Sequence, residues 1–377
     1  MFESTLAEMH RKLGAQLVQV DGTSVPEKYT SVEEEYAAAR RYAVFFDLSH
    51  FGKLRITGRD GLDLLNRIST NDLNGMRPGM GKQIFLATEK GRVVDLCTVY
   101  AQQGNLLLQT SPGNSENVKK WIERFIISED VKVEDVTHNF PLFFVAGTEA
   151  ANFLKHVTHS SYKAFLDVGK MSHHNFIRTF LGSYEVFLAR TNLANNGYII
   201  LVNPNDTEAI WNSLLQNSKT FGAGPAGLDT FEILRIENGT PLYPHELNEE
   251  LNPLEVNILD AISNNKGCYV GQEVIARLQT YDKVRRRLVG LIAASPQDTA
   301  SRGKMLRGAK VYDLKQSSAG VETEIGFVTS SVRSPGSGKE IALAYVSMQQ
   351  VVPGSKYLVK VGGKSVEAEL STLPFLV

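Results

Sequence analysis

The amino-acid sequence predicts an α+β fold, two related, ferredoxin-like α/β lobes followed by a C-terminal antiparallel β-barrel. Three observations carry this expectation. Residues 53–136 read as strand, helix, three strands, helix and a closing strand, an order that argues for an α+β layer rather than repeated β-α-β units. Residues 143–236 run through a weaker cycle of the same kind. From Arg285 onward the texture changes to short strands separated by Gly- and Ser-rich turns, which suits a small barrel or sandwich.

Taken in order, residues 3–17 are expected to form a first helix, since Leu6, Met9, Leu13 and Leu17 share one face. Asp21-Gly22 and Pro26 mark a loop. Ser31 followed by Glu34 is a capping box, and a helix should run from there to about Arg41. Val44 to Leu48 is mostly apolar, and Lys53 to Thr57 alternates like a half-buried strand. Gly58 to Gly61 turns the chain into a helix bearing Leu62, Leu64, Leu65 and Ile68, and Asn71-Asp72-Leu73 is a polar loop. Strands are expected at Gln83 to Ala87, Val93 to Tyr100 and Leu106 to Thr110, the first two joined by a Glu89-to-Arg92 turn. Ser115 caps a helix to about Phe125, and Val131 to Asp135 closes the module.

The second cycle offers strands at Phe143 to Ala146, Phe176 to Phe180, Tyr184 to Ala189 and Tyr198 to Val202. Its helices are Glu149 to Val157, Thr207 to Gln216 and Leu228 to Ile236. Six barrel strands follow, from Leu288 to Leu370. Three domains are expected: residues 1–50 with 137–282, residues 51–136, and residues 283–377.

Composition narrows the function classes. The 377 residues carry 42% hydrophobic and 21% charged side chains, an ordinary globular balance. A net charge of −1 gives no reason to expect nucleic acid or an anionic membrane as partner. Cys97 and Cys268 form no CxxC pair, so neither a disulfide framework nor a zinc site is expected, and a reducing compartment fits. The start lacks the apolar core of a signal peptide, and no apolar run is long enough to cross a bilayer, so a soluble cytoplasmic protein is expected. His156, His159, His173 and His174 stand outside any HExxH pattern, so no metal is expected. No GxSxG or P-loop occurs, and Gly222 to Gly227 reads as a loop.

Four stretches remain as candidates. Asp95 sits in an otherwise apolar strand. It either faces an interior cavity, where it must be hydrogen-bonded, or faces water from an edge strand. Arg235 can grip a carboxylate with two prongs or simply close a helix beside Glu237. Lys283 to Arg287 is a basic run, either solvated or aimed at an anionic ligand tail or acidic surface. Lys266-Gly267-Cys268-Tyr269-Val270-Gly271-Gln272-Glu273 gathers groups that are poor core material. It is either a surface turn into a helix or a polar loop at a ligand cavity.

Assembled, these stretches resemble the folate-binding superfamily of the glycine cleavage T-protein (aminomethyltransferase). Phe46 to Leu54 is similar to its FDLSHMGK-like segment, Asn66 to Asp72 to its RxxTND-like loop, and Arg235 to Leu247 to its RLEAGxPLxGxEL-like run. Ile325 to Ser330 and Leu373-Pro374-Phe375 are similar to its C-terminal barrel. Lys266 to Glu273 looks like the signature of the YgfZ-type branch, which is linked to iron–sulfur protein maintenance.

The resemblance implies a ring-like, three-domain arrangement around a central tetrahydrofolate cavity. It places Asp95 near the reduced pterin, with Asn71, Tyr100, Arg190, Asn195 and Arg235 as further cofactor contacts. The chain departs from the transferase pattern at Leu96, where a second acid is expected, and at Leu193 to Ile199, where two glutamates are missing.

The leading expectation is therefore a YgfZ-like, tetrahydrofolate-binding protein that serves iron–sulfur enzymes or their assembly proteins. Cys268 would be its reactive atom, and Lys266 would favour the thiolate. Gln272 and Glu273 would hold the loop or accept a proton. The alternative is a folate-dependent aminomethyltransferase or related demethylase. Asp95 would then position the folate amine, and a lipoyl carrier protein would be the partner.

Overall fold

The computed structural model describes residues 6–159, 168–194, 197–294, 305–314, 323–352, 354–361 and 363–375. Its first departure from expectation lies near the start. The helix occupies only Ala7–Lys12 and is followed by a hairpin of strands Gln16–Val20 and Thr23–Lys28. Helical periodicity continues to Leu17, but Asp21 and Gly22 both take positive φ, 49° and 78°. That pair forms the two-residue turn favoured between antiparallel strands, and hairpin pairing wins over the helical pattern. The Ser31–Glu34 capping box is present, and its helix runs Val32–Arg41.

The chain divides into two compact units. The first takes Met1–Leu86, Asp95–Phe231 and Asp260–Tyr269; the second takes Ala87–Val94, Glu232–Leu259 and Val270–Val377. One sheet of the first unit has five strands in the order Gly81–Ala87, Val93–Gln102, Asn105–Pro112, Phe51–Thr57, Lys132–Asp135. The other has seven, in the order Thr158–His159, Phe176–Leu181, Tyr184–Thr191, Gly197–Leu201, Leu142–Ala146, Val44–Asp47, Gly224–Pro225.

Helices cover the larger sheet through an aromatic core. Trp211 of helix Thr207–Ser218 meets the Phe45 and Phe143 rings at centroid distances of 5.1 and 5.0 Å. Trp211 and both phenylalanines are buried, each stabilising the fold by roughly 1.5–3 kcal/mol through lost apolar exposure. The two sheets of this unit meet through Tyr100, whose ring lies edge-on to Phe187 at 5.2 Å and to Phe176 at 5.9 Å.

The second unit holds the expected barrel. Strands Arg286–Ala293, Glu340–Ser347, Glu324–Arg333, Lys310–Asp313, Lys356–Val361 and Lys364–Ser371 close on themselves, the last pairing back onto the first. Alternate residues such as Val289, Leu291, Val311, Val359 and Val366 fill its interior, as strand periodicity requires. No helix among the described residues is long and apolar enough to cross a membrane.

Candidate active site

Asp95 belongs to strand Val93–Gln102, which has a neighbour on each side of its sheet, and it is fully buried. The water-facing, edge-strand reading is thereby set aside. Its Oδ1 accepts hydrogen bonds from the Ser111 hydroxyl at 2.6 Å and the Leu96 amide at 2.8 Å, while Oδ2 accepts from the Ser111 amide at 3.0 Å.

Burial pushes this carboxyl up to about 6, opposed by the bonds from Ser111, Asn114 and Leu96 that favour the anion. The group therefore titrates just below neutrality while remaining out of water. Beneath it, burial together with the Asp95 charge drives the Cys97 thiol well above its usual range. Sequence reading passed over Ser111. No motif surrounds it, and its role rests on a cross-strand neighbour relation that composition does not reveal.

The Lys266 ammonium is committed elsewhere. It donates to the carbonyls of Asn66 at 2.5 Å, Ser69 at 2.8 Å and Asn71 at 2.6 Å. These carbonyls lie in and just beyond the last turn of helix Gly61–Ile68, where backbone acceptors lack helical partners and a cation is favoured. Burial draws this amine down to about 8, with Asp72 opposing and Lys82 assisting, so it stays charged at neutral pH.

Asn71 belongs to the same knot. Its amide donates to the carbonyls of Gln83 at 2.8 Å and Asp260 at 2.9 Å. The structure thus unites two of the candidate residues, Asn71 and Lys266, through backbone carbonyls. Lys266→Met should lower stability by about 2–3 kcal/mol by orphaning these acceptors, read as a fall in the urea midpoint.

Arg235 is also spent internally. Its side chain and that of Glu246 are both 0% exposed and lie 3.1 Å apart. Nη1 also donates to the Thr240 carbonyl at 3.1 Å, Nε to Glu232 at 2.6 Å, and Nη2 to Ser330 at 2.8 Å and to the second Glu232 oxygen. Every N–H of the guanidinium therefore has an acceptor. Ser330 passes the network on to Glu246 at 2.6 Å.

Arg190 donates through Nη1 to the carbonyls of Gly169 at 3.2 Å and Met171 at 2.7 Å, and its buried Nε has no partner. Tyr100 is fully buried, its hydroxyl 3.3 Å from Gln109 Oε1. Asn195 lies outside the described residues. In the Cys268 loop, Cys268 and Gly267 are exposed. Gly271 takes φ +80° with Thr88 O only 2.6 Å from where a Cβ would stand, so its position excludes a side chain. Gln272 opens helix Gln272–Thr280, and exposed Glu273 lies in its first turn, where a negative charge is favoured. Among the described residues no group of three or more His, Cys, Asp or Glu is arranged to hold a metal ion.

Comparison with known proteins decides the family. Residues 6–266 match the GCVT N-terminal domain, and residues 286–376 match the glycine cleavage T-protein C-terminal barrel domain. The chain belongs to the glycine cleavage T-protein family. An aminomethyltransferase of Koribacter versatilis is 30% identical over 98% of this chain and 94% of its own length. One from Halothermothrix orenii is 27% identical over the full length of both. The glycine cleavage system aminomethyltransferase T of Bartonella henselae has the same fold, with a TM-score of 0.84 at 21% identity, covering 100% of this chain and 98% of that one.

These findings correct the YgfZ-type, iron–sulfur expectation. The relatives that span this T-protein family chain from end to end are named aminomethyltransferase. The Lys266 to Glu273 stretch misled because its specific residues have local structural work: Lys266 binds three carbonyls, and Gly271 fits where no side chain can.

Proposed function

We propose that this chain is a folate-dependent aminomethyltransferase. It would move the one-carbon unit of an aminomethyl-loaded lipoyl carrier protein to tetrahydrofolate, releasing ammonia and freeing the carrier thiol. The observation that carries the reading is the buried Asp95 carboxylate, in a chain matched along its length by aminomethyltransferases.

The residues suit a reduced folate. An ionised, desolvated carboxylate accepts charge-assisted hydrogen bonds from ring N–H groups more strongly than a solvated one. Of the donors now holding Asp95, the Ser111 hydroxyl and the Asn114 side chain can turn away, whereas the Ser111 and Leu96 amides are fixed by the backbone. One lone pair can therefore be released without disturbing the strand. Asp95 then orients the amine nitrogen that receives the carbon unit, and burial keeps water from competing for it.

A steady-state assay with tetrahydrofolate and an aminomethyl-loaded lipoyl carrier tests this reading, with ammonia release as the readout. Activity should rise with pH through about 6 as Asp95 ionises. Cys268→Ala should retain turnover within about twofold, because an exposed surface thiol takes no part in the transfer. Absence of turnover above the uncatalysed rate would overturn the proposal.

A further inference from the structure

A cavity lies in the first unit, and Asp95 is not among the residues that line it. It encloses about 480 Å³, within the range of roughly 300–1,000 Å³ usual for small-molecule sites. Its walls are two cross-strand rows. In the five-stranded sheet Leu107 pairs with Tyr100 on one side and Arg55 on the other. In the seven-stranded sheet Phe187 pairs with Arg178 on one side and Leu201 on the other. Tyr100 packs on Phe187, and Arg178 reaches across to Gln102 at 3.2 Å, so the rows face each other in register. The result is a cavity whose apolar surface comes from Leu107, Phe140, Phe187 and Leu201, whose polar surface includes Thr57, Asn105 and Asn203, and in which Arg55 and Arg178 come from different sheets.

The two guanidinium groups differ in availability. Arg178 is neutralised by Glu185 at 3.3 Å. Arg55 stands 3.9 Å from Glu134, whose carboxylate is already gripped by Lys132 at 2.5 Å. Arg55 otherwise stacks over the Phe140 ring, 5.3 Å from its centroid. It therefore presents a positive, planar fork beside the apolar surface of Leu107, Phe140 and Phe187. Glu185 and Asp206 also line the cavity and disfavour a second acidic group on any ligand.

We propose that this cavity binds a flat organic monocarboxylic acid, its apolar body against Leu107 and Phe187 and its carboxylate on Arg55. The site is independent of the aminomethyl-transfer reading, because binding is measured without turnover.

Calorimetric titration of the full chain with 3-phenylpropionate tests it. The acid should bind with a sub-millimolar Kd, and 3-phenylpropionamide, which lacks the charge, at least about tenfold more weakly. Arg55→Gln should weaken the acid by at least about tenfold, whereas Arg178→Gln, whose charge Glu185 already holds, should change it by less than about threefold. The near-ultraviolet circular dichroism of each variant should match that of the parent. Failure to bind at about 10 mM, equal binding of acid and amide, or loss in Arg178→Gln but not in Arg55→Gln would each overturn the assignment.

Discussion

Asp95→Asn should lower kcat for tetrahydrofolate-dependent ammonia release by at least about 10³-fold and, at the same time, remove the loss of stability that the parent shows as pH rises through about 6. Both effects follow from one feature. The carboxyl is fully buried, and burial raises it from 3.8 to about 6. A carboxyl whose folded-state value is raised binds its proton more tightly when folded. Its contribution to stability is fully present below about pH 4 and is lost as pH rises through about 6. At about pH 7.5 the wild-type chain carries a desolvated anion that costs on the order of 3 kcal/mol relative to its protonated form. A neutral amide carries no such pH-dependent cost, while its NH2 must face the N–H of either Leu96 or Ser111 at every pH. Urea unfolding should show the difference in stability between variant and parent moving in the variant's favour by about that amount between about pH 4 and about pH 7.5. A variant that is equally active, or whose stability relative to the parent is the same at both pH values, would sink the assignment of Asp95.

Arg235→Ala should destabilise the second unit by about 3–5 kcal/mol, because Glu246 would be left as a buried charge with no counterion. Arg235→Lys should not rescue it, since a single ammonium cannot reproduce the fork that reaches Glu232, Glu246, Thr240 and Ser330 together. Replacing Arg235 by Met and Glu246 by Leu together should recover most of the loss by removing both charges. Thermal unfolding reads all three variants. If Arg235→Lys melted with the parent and lost only ligand affinity, Arg235 would be a ligand contact and not the joint described.

What the sequence revealed, and what it hid, follows from the range of the interactions involved. The barrel was legible because its strands alternate locally and its turns carry Gly and Ser, as at Ser334 to Gly338. The Ser31–Glu34 cap was legible for the same reason. The first hairpin was misread because helical periodicity from Leu6 to Leu17 outweighed one Asp-Gly pair in the reading, though not in the chain. At Asp95, residue type and apolar surroundings marked the position but left it open between a buried carboxylate and a water-facing one on an edge strand. Its partner Ser111 lies 16 residues away across a strand pair and bears no local mark. Lys266 shows the converse: a conspicuous motif drew attention to chemistry, while its acceptors are backbone carbonyls from Asn66 to Asn71, whose pairing with a lysine 195 to 200 residues away no residue type reveals.

The Lys266 tie also has a consequence for synthesis on the ribosome. Lys266 and the Asn66 carbonyl are 200 residues apart, and the neighbouring bonds from Thr70 to Ala261 and from Asn71 to Asp260 span 191 and 189. A nascent chain that has not yet emerged through this stretch exposes the last turn of helix Gly61–Ile68 uncapped. The amino-terminal half therefore cannot complete its own fold as it emerges. It must wait for a lysine 200 residues further along the chain, and truncation before that point should leave a product open to proteolysis at the 66–73 loop.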